Sequence, residues 1–459
     1  MRTAGLPGGP ASRHRDRPAC ARPGASSAKT AQWLDDYAAG QVMPAQPQRA
    51  AVVGAGVVGL SVAWFLQQAG YQVTVLDRTG VAAGASAWNA GWLTPAMVAP
   101  LPEPSALRFG LASLPRPASP LRIAPAALPA TWRFLLDFAA HCTRRQWLAG
   151  ISRFAALNAQ ALPAYGELSE AGVPEGGRET TVTAAFDRPA DAAQLRHELA
   201  AIAATGIEFS VDELSAAELH SEQPLLSARA TFGLRVGGQQ LLRPLEFVQS
   251  LARSVTSRGG ELATGMKVTA VRGGAHGVQV AFDGPGGAGR AGYDVCVLAT
   301  GAWLGDLARA AGVRVRVLAG RGYSFTVTAP QPLTRPLYLP AARVACTLAP
   351  GGLRLAGTME FRPADDPLDE RRIRAIVRSV RDYLPGADWA DISGKWVGPR
   401  PVTADGLPVI GATRAERVYV AGGHGMWGMT LGPATGRALA RLIASGQPQP
   451  ELAPFDPLR

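Results

Sequence analysis

Residues 50–56, Ala-Ala-Val-Val-Gly-Ala-Gly, are an unbroken apolar run that ends in glycines. A run this short and this apolar predicts a strand buried on both faces. Residues 57–69 are helical in composition, and residues 71–77, Tyr-Gln-Val-Thr-Val-Leu-Asp, give a second strand that ends on an acid. Together they predict a complete β-α-β unit. Further along, helices are expected near 131–148, 151–171, 189–204 and 244–258, the last opened by Pro244 and closed before Gly259-Gly260. Strands are expected at 277–282, 293–299, 314–318, 322–328, 343–348 and 353–357, then a charged helix at about 367–383, a strand at 418–420 and a helix from about Pro433. Between Pro95 and Pro129 proline is dense and periodicity weak, which predicts an extended, winding connection.

Strands with helical crossovers at both ends, and a strand-rich middle without them, predict a nucleotide-binding domain interrupted by a second domain. The expected division is a disordered leader over 1–48, a dinucleotide-binding domain from 49–135, 236–316 and 396–447, and a substrate domain from 136–235 and 317–395. Length agrees with two or three units, since the chain has 459 residues, and the leader reads as a start placed ahead of Met43.

The net charge is +11, but only Lys29, Lys267 and Lys395 are lysines and no basic run is interleaved with aromatics, so nucleic acid is not an expected partner. A mildly basic surface leaves peripheral contact with an anionic membrane open. The most apolar stretch, about 50–66, is too short to span a bilayer. Cys20, Cys142, Cys296 and Cys346 are far apart and lack histidines at ligand spacing, so neither a metal site nor a disulfide framework is expected.

The chemistry sits in three places. Gly54-Ala55-Gly56-Val57-Val58-Gly59 follows a strand and opens a helix, which lets backbone approach a pyrophosphate at the helix's positive end. Asp77, at the end of the next strand, is placed to accept hydrogen bonds from a ribose. Asp294-Val-Cys-Val-Leu-Ala299-Thr300-Gly301-Ala-Trp303 is a buried strand ending in a tight turn. Trp396-Val-Gly398-Pro-Arg400-Pro leads through Asp405-Gly-Leu-Pro-Val-Ile-Gly411 to the turn Gly422-Gly-His424-Gly425-Met426-Trp-Gly428-Met429-Thr430.

The second of these resembles the dinucleotide-contacting turn of glutathione-reductase-like flavoproteins. The third is similar to the amine-oxidising flavoproteins that include D-amino-acid oxidase, D-amino-acid dehydrogenase and glycine oxidase. Ser86-Ala-Trp88-Asn89-Ala90-Gly91, Gly320-Arg321-Gly322-Tyr323-Ser324 and Arg354 to Glu360 resemble segments of the dehydrogenase branch, although Arg321 stands where lysine is usual and Trp88 where a smaller residue is usual. The resemblance covers roughly residues 50–447. It implies an α/β protein: a discontinuous, glutathione-reductase-like FAD-binding Rossmann domain and a second α+β substrate domain on a mixed, largely antiparallel sheet.

It also implies that FAD is held by the glycine loop, Asp77, Arg78, Ser86, Asn89, Ala90, Gly91, Val268, Ala299, Thr300, Gly301, Trp303, Gly425, Gly428, Met429 and Thr430. Some relatives attach FAD through a cysteine that aligns with Gly398, so noncovalent FAD is expected. A planar guanidinium at Arg400, fixed between prolines, suits a bidentate grip on a carboxylate. It matches the arginine that holds the substrate carboxylate in the family; an ion pair with Asp405 is the alternative. The carbonyl of Met426 matches the acceptor of the substrate amine. His424 and Tyr323 are further pocket candidates, each with a packing role as the alternative.

The implied reaction is oxidative deamination of a D-amino acid, with hydride leaving the α-carbon for flavin N5 to give an imino acid and then a 2-oxo acid. Rival readings are a glycine, sarcosine or proline-like oxidase, a noncatalytic flavin subunit of a heteromeric dehydrogenase, and a flavoprotein acting on amines carried by tRNA. The electron acceptor is oxygen, a quinone or a carrier protein, and the expected location is cytoplasmic or peripheral to the inner face of the membrane.

Overall fold

The computed structural model describes residues 48–105, 121–123, 129–174, 176–331 and 333–459, with backbone alone at 121–123 and 129–130. The leader, and much of the proline-rich connection expected over 95–129, lie outside the described residues. Pro47–Arg459 form one compact unit.

Its first layer is a six-stranded sheet. Strand Arg49–Val53 runs parallel between Val295–Leu298 and Gln72–Asp77; Val418–Gly422 and Val409–Ala412 extend one side and Glu261–Thr264 the other. All pairings are parallel except that of Val409–Ala412 with Val418–Gly422. Central positions such as Ala51, Val52, Val75 and Val297 are fully buried, as expected of strands covered on both faces. Helix Val57–Gln68 crosses one face and packs on helix Gly428–Ser445, where a Cβ at Gly436 would stand 2.6 Å from the Ser61 backbone. Glycine there lets the two helices touch backbone to backbone. A three-stranded antiparallel meander, Lys267–Gly274, Gly277–Gly284 and Gly287–Tyr293, covers the opposite side.

The second layer is a large mixed sheet. Its order is Ile392–Thr403, Val317–Val327, Gly352–Phe361, Val344–Ala349, Leu337–Leu339, Arg178–Phe186, Phe232–Leu241 and Trp92–Leu93, with two short strands paired at its side. Most of its pairs are antiparallel; Leu337–Leu339 runs parallel to Arg178–Phe186. Amphipathic helix Glu370–Val380, capped by Asp369, buries Ile373, Ile376 and Val380 against Phe325, Leu355 and Val344 on one face.

Several expected boundaries move, each for a local reason. The two strands expected at 314–318 and 322–328 are one strand, Val317–Val327. Glycines 320 and 322 lie within it because neighbouring side chains fill the space: a Cβ at Gly320 would lie 2.4 Å from Met359 Sδ, and one at Gly322 2.3 Å from Arg400 Cζ. The helical region after residue 130 is three helices, Pro129–His141, Arg144–Asn158 and Ala161–Glu170, because the Thr143 hydroxyl accepts from Gln146 N at 3.3 Å and starts a new helix. The last helix begins at Gly428, ahead of Pro433. Proline is tolerated inside it because Met429 O, which Pro433 cannot reach with an N–H, accepts from the Tyr165 hydroxyl instead. Strand Ile392–Thr403 stays in the large sheet, so the chain crosses to the six-stranded sheet after Thr403, beyond the boundary expected at 396.

Candidate active site

A cavity of about 1360 Å³ runs from the C-terminal edge of the six-stranded sheet across the face of the large sheet. Ligands of parallel α/β sheets bind at that edge. Of the residues expected from the sequence to hold FAD or substrate, all line it except Ala55, Gly59 and Thr430.

Those three stand just behind the wall. Gly59 packs so closely under the loop that a Cβ would fall 2.0 Å from Gly54 O. Ala55 N donates to Asp77 Oδ2 at 2.8 Å. The Thr430 hydroxyl donates to Trp92 O at 3.3 Å and accepts from Thr94 N at 3.4 Å, which ties the last helix to strand Trp92–Leu93.

The dinucleotide end is a backbone cradle. Gly54, at φ +117°, lies against the Ala299 carbonyl, and Gly56 leaves 3.2 Å between a Cβ and Ser86 Oγ. Ser86 accepts from Val57 N at 3.1 Å, so a side chain already occupies one first-turn donor of helix Val57–Gln68. Asp77, the expected ribose acceptor, ties the loop together: its carboxylate accepts from Ala55 N, Thr79 N and Gly80 N, all at 2.8 Å. Arg78 stacks on Trp303 at 3.9 Å and pairs with Asp365 at 2.6 Å, while Trp303 Nε1 donates to the same Asp365 at 3.0 Å. Asp365 lies between strand Gly352–Phe361 and helix Glu370–Val380, and nothing in its local sequence marks it.

The Thr300 hydroxyl is buried in the wall with no hydrogen-bond partner. Cradle, orphaned hydroxyl and the positive ends of helices Val57–Gln68 and Gly428–Ser445 together suit a long ligand carrying anionic charge, so the residues present fit a flavin dinucleotide.

At the other end stands Arg400. Its Nη1 donates to Thr358 O at 2.8 Å, and its guanidinium lies over Gly322. The alternative ion pair does not form, because Asp405 is engaged by Arg459 at 2.9 and 3.3 Å. Among the described residues no carboxylate pairs with Arg400. Burial lowers its pKa to about 10, which still leaves it a cation. Gly425 N donates to Pro401 O at 2.8 Å, fastening the turn that carries Met426 to the strand that carries Arg400.

Arg354, on strand Gly352–Phe361, is a second buried guanidinium. It donates to Ser324 Oγ at 2.6 Å and to the Trp88 carbonyl at 3.2 Å, and stacks on the Trp88 ring. The turn Ser86–Gly91 is thus held by the large sheet, with Thr347 Oγ1 also donating to Ala90 O at 3.0 Å.

Two of the pocket candidates are held from behind the wall. Tyr323 and His424 both line the cavity. The Tyr323 hydroxyl donates to Glu360 Oε2 at 2.7 Å, and Glu360 is fully buried, while the Tyr323 ring belongs to the core under helix Glu370–Val380. His424 is likewise enclosed: it is 2% exposed, its Nε2 meets Thr435 Oγ1 at 2.9 Å, and burial pushes its pKa down to about 4. At neutral pH it is an uncharged brace between the turn and the last helix.

Glu198 was not anticipated either. It shares the far wall with Glu103, and Gln194 Nε2 donates to both, at 2.8 and 3.3 Å. Burial, then the neighbouring Glu103, push the Glu198 carboxyl up to about 8. The native state therefore keeps a proton that the unfolded chain releases near pH 4.5, and stability contributed by this group falls as pH rises from about 4.5 to about 8. Glu198→Gln is expected to melt higher than the parent at pH 8.5, by about 1–2 kcal/mol after allowing for solvent, and to melt with it at pH 4. An equal gap at both pH values rules out a raised Glu198 carboxyl.

Residues 49–442 match the family described as DAO, FAD dependent oxidoreductase. The chain is 29% identical over 412 residues to the D-amino acid dehydrogenase of Agrobacterium fabrum, covering 87% of this chain and 96% of that one. It is 28% identical to the D-amino acid dehydrogenase of Vibrio vulnificus over the same length, with the same coverage. Among solved structures, glycine oxidase from Geobacillus kaustophilus superposes with a TM-score of 0.65 at 22% identity, over 90% of this chain and 99% of that one. L-α-glycerophosphate oxidase from Mycoplasma pneumoniae, solved with FAD bound, gives 0.68 at 16% identity, over 87% and 95%. With a flavin cradle at one end of the cavity, an unpaired guanidinium at the other and a family match across nearly all of its described length, this chain belongs to the DAO family of FAD-dependent oxidoreductases.

Proposed function

We propose that the protein oxidatively deaminates a D-amino acid. The observation that carries the reading is Arg400, a cation that the fold holds in the cavity wall with, among the described residues, no acid to neutralise it. A buried charge is retained at such cost where a ligand supplies the counter-charge. The D-amino acid dehydrogenases with which the chain aligns over most of its length support the same substrate class.

The six-stranded sheet and its helices would hold FAD, and the large sheet would hold the amino acid. Bound FAD supplies the acceptor for the hydride that leaves the α-carbon. The chain contributes position. Arg400 grips the carboxylate, the Met426 carbonyl orients the amine in its neutral form, and the first-turn N–H groups of Gly428 and Met429 supply positive potential at that end of the cavity. No side-chain base is needed beyond loss of the ammonium proton, in keeping with a neutral, enclosed His424.

FAD is held noncovalently in this reading. At Gly398 the Trp396 ring lies 1.8 Å from the place a Cβ would occupy, so the position that carries the tethering cysteine in some relatives is sterically filled. Acid precipitation is expected to leave all the flavin in the supernatant; a yellow pellet would show a tether.

The test of function is anaerobic. Purified holoprotein is mixed with D-amino acids, L-amino acids, glycine, sarcosine and D-proline, and loss of the visible flavin band is followed. Bleaching by several D-amino acids and not their L forms supports the proposal. Bleaching by glycine, sarcosine or D-proline alone moves the assignment to the rival oxidases, and no bleaching by any of them defeats amine oxidation. Readmitting air then separates oxygen from a quinone or carrier protein as acceptor.

A further inference from the structure

Thr358 combines four features that its sequence context does not explain. It sits on strand Gly352–Phe361 with φ +64°, a left-handed conformation that is a genuine outlier for a β-branched residue. The strand is irregular here, since the pairing register shifts opposite it between Arg321 and Tyr323. Its carbonyl accepts the Nη1 donor of Arg400 at 2.8 Å. Its hydroxyl is buried and has no hydrogen-bond partner, although the residue, 8% exposed, belongs to the cavity wall.

Two of these features cost free energy in the chain alone. A left-handed threonine is strained, and an unmet buried hydroxyl forfeits its hydration. Glycine or asparagine would relieve the backbone strain, and valine would match the shape without the hydroxyl. A threonine at this position answers to a ligand. The carboxylate that Arg400 is placed to grip is the group at hand, because the Thr358 carbonyl holds the guanidinium and both residues line the same cavity. Donation to it would require χ1 to turn the hydroxyl from the wall toward the cavity.

We infer that Thr358 is part of the carboxylate-binding site: its carbonyl aims Arg400, and its hydroxyl donates to the substrate carboxylate that Arg400 holds. This rests on the proposed role of Arg400 and adds a second, neutral donor to it. Hydrogen bonds to a charged acceptor are the stronger kind, so loss of the hydroxyl is expected to weaken carboxylate binding about tenfold or more.

The experiment measures binding of pyruvate and acetate to holoprotein by perturbation of the flavin spectrum, beside thermal midpoints, for the parent and for Thr358→Gly, Thr358→Ala, Thr358→Ser and Arg400→Met. Thr358→Gly is expected to lose about tenfold or more in affinity while melting no lower than the parent, since strain is relieved. Thr358→Ser is expected to bind within about threefold of the parent. Parent affinity in Thr358→Gly and Thr358→Ala overturns the inference, as does a loss in Thr358→Ser equal to that in Thr358→Ala. Arg400→Met separates the two claims. If it binds both acids as the parent does, the carboxylate reading of Arg400 fails; if it loses them while Thr358→Gly does not, only the role of Thr358 falls.

Discussion

Arg400→Met is expected to lower the efficiency with which an amino acid reduces the flavin by roughly a hundredfold or more, with flavin content unchanged. The size follows from what the fold leaves undone. Arg400 has a neutral carbonyl as its hydrogen-bond partner, and the acid nearest in sequence, Asp405, is taken by Arg459. A ligand carboxylate would therefore be the group's first full counter-charge, and removing the cation leaves that carboxylate buried without one. The loss should fall on KM more than on the rate at saturation, because the grip is made equally in ground and transition states. Gly322→Ala provides a second route to the same result, since the new methyl would stand 2.3 Å from Arg400 Cζ and must push the guanidinium aside. Stopped-flow reduction of both variants checks this. Parent-like efficiency in Arg400→Met removes the residue from the site.

The two ends of the cavity differ in how far they could be read from sequence. The dinucleotide end is built by consecutive residues: an apolar strand, three glycines at fixed spacing and an acid one strand later, each with a local cause. The strand–helix–strand expectation over 50–77 accordingly agrees with Arg49–Val53, Val57–Gln68 and Gln72–Asp77. The substrate end is assembled from strands that meet only in the folded sheet. Why residue 322 is glycine shows only when Arg400, a strand away, is seen lying on it. The partner that holds the Tyr323 hydroxyl, Glu360, arrives from a strand 37 residues on. Arg354 and Thr358 fall in a segment that the resemblance marks without giving either a role, and Asp365 and Glu198 had no local pattern to announce them: a strained φ, an unmet hydroxyl, a clasp on Arg78 and Trp303 and a raised carboxyl are properties of neighbours. Local chemistry is legible where one segment makes the site, and silent where three do.

That contrast makes the sharpest test of the dinucleotide end a pair of glycines alike in conformation and unlike in surroundings. Gly54 has φ +117° and Gly70 has φ +87°. A Cβ at Gly70 meets nothing within 4 Å, so Gly70→Ala pays for backbone strain alone, about 1 kcal/mol, and the protein should purify yellow. A Cβ at Gly54 would stand 2.4 Å from Ala299 O and 2.8 Å from Ala299 C. Neither atom can yield easily. Gly54 N is hydrogen-bonded to Leu76 O at 2.8 Å and Ala299 N to Val53 O at 2.8 Å, so three parallel strands would have to part at the point where the cofactor is cradled. Gly54→Ala is therefore expected to cost more than about 3 kcal/mol and to abolish flavin retention, giving colourless or insoluble protein. Absorbance ratios and thermal midpoints of the two variants, purified side by side, decide it. If Gly54→Ala keeps its flavin and melts with Gly70→Ala, the close approach of the two turns does not form the cradle, and the dinucleotide must lie elsewhere along the sheet edge.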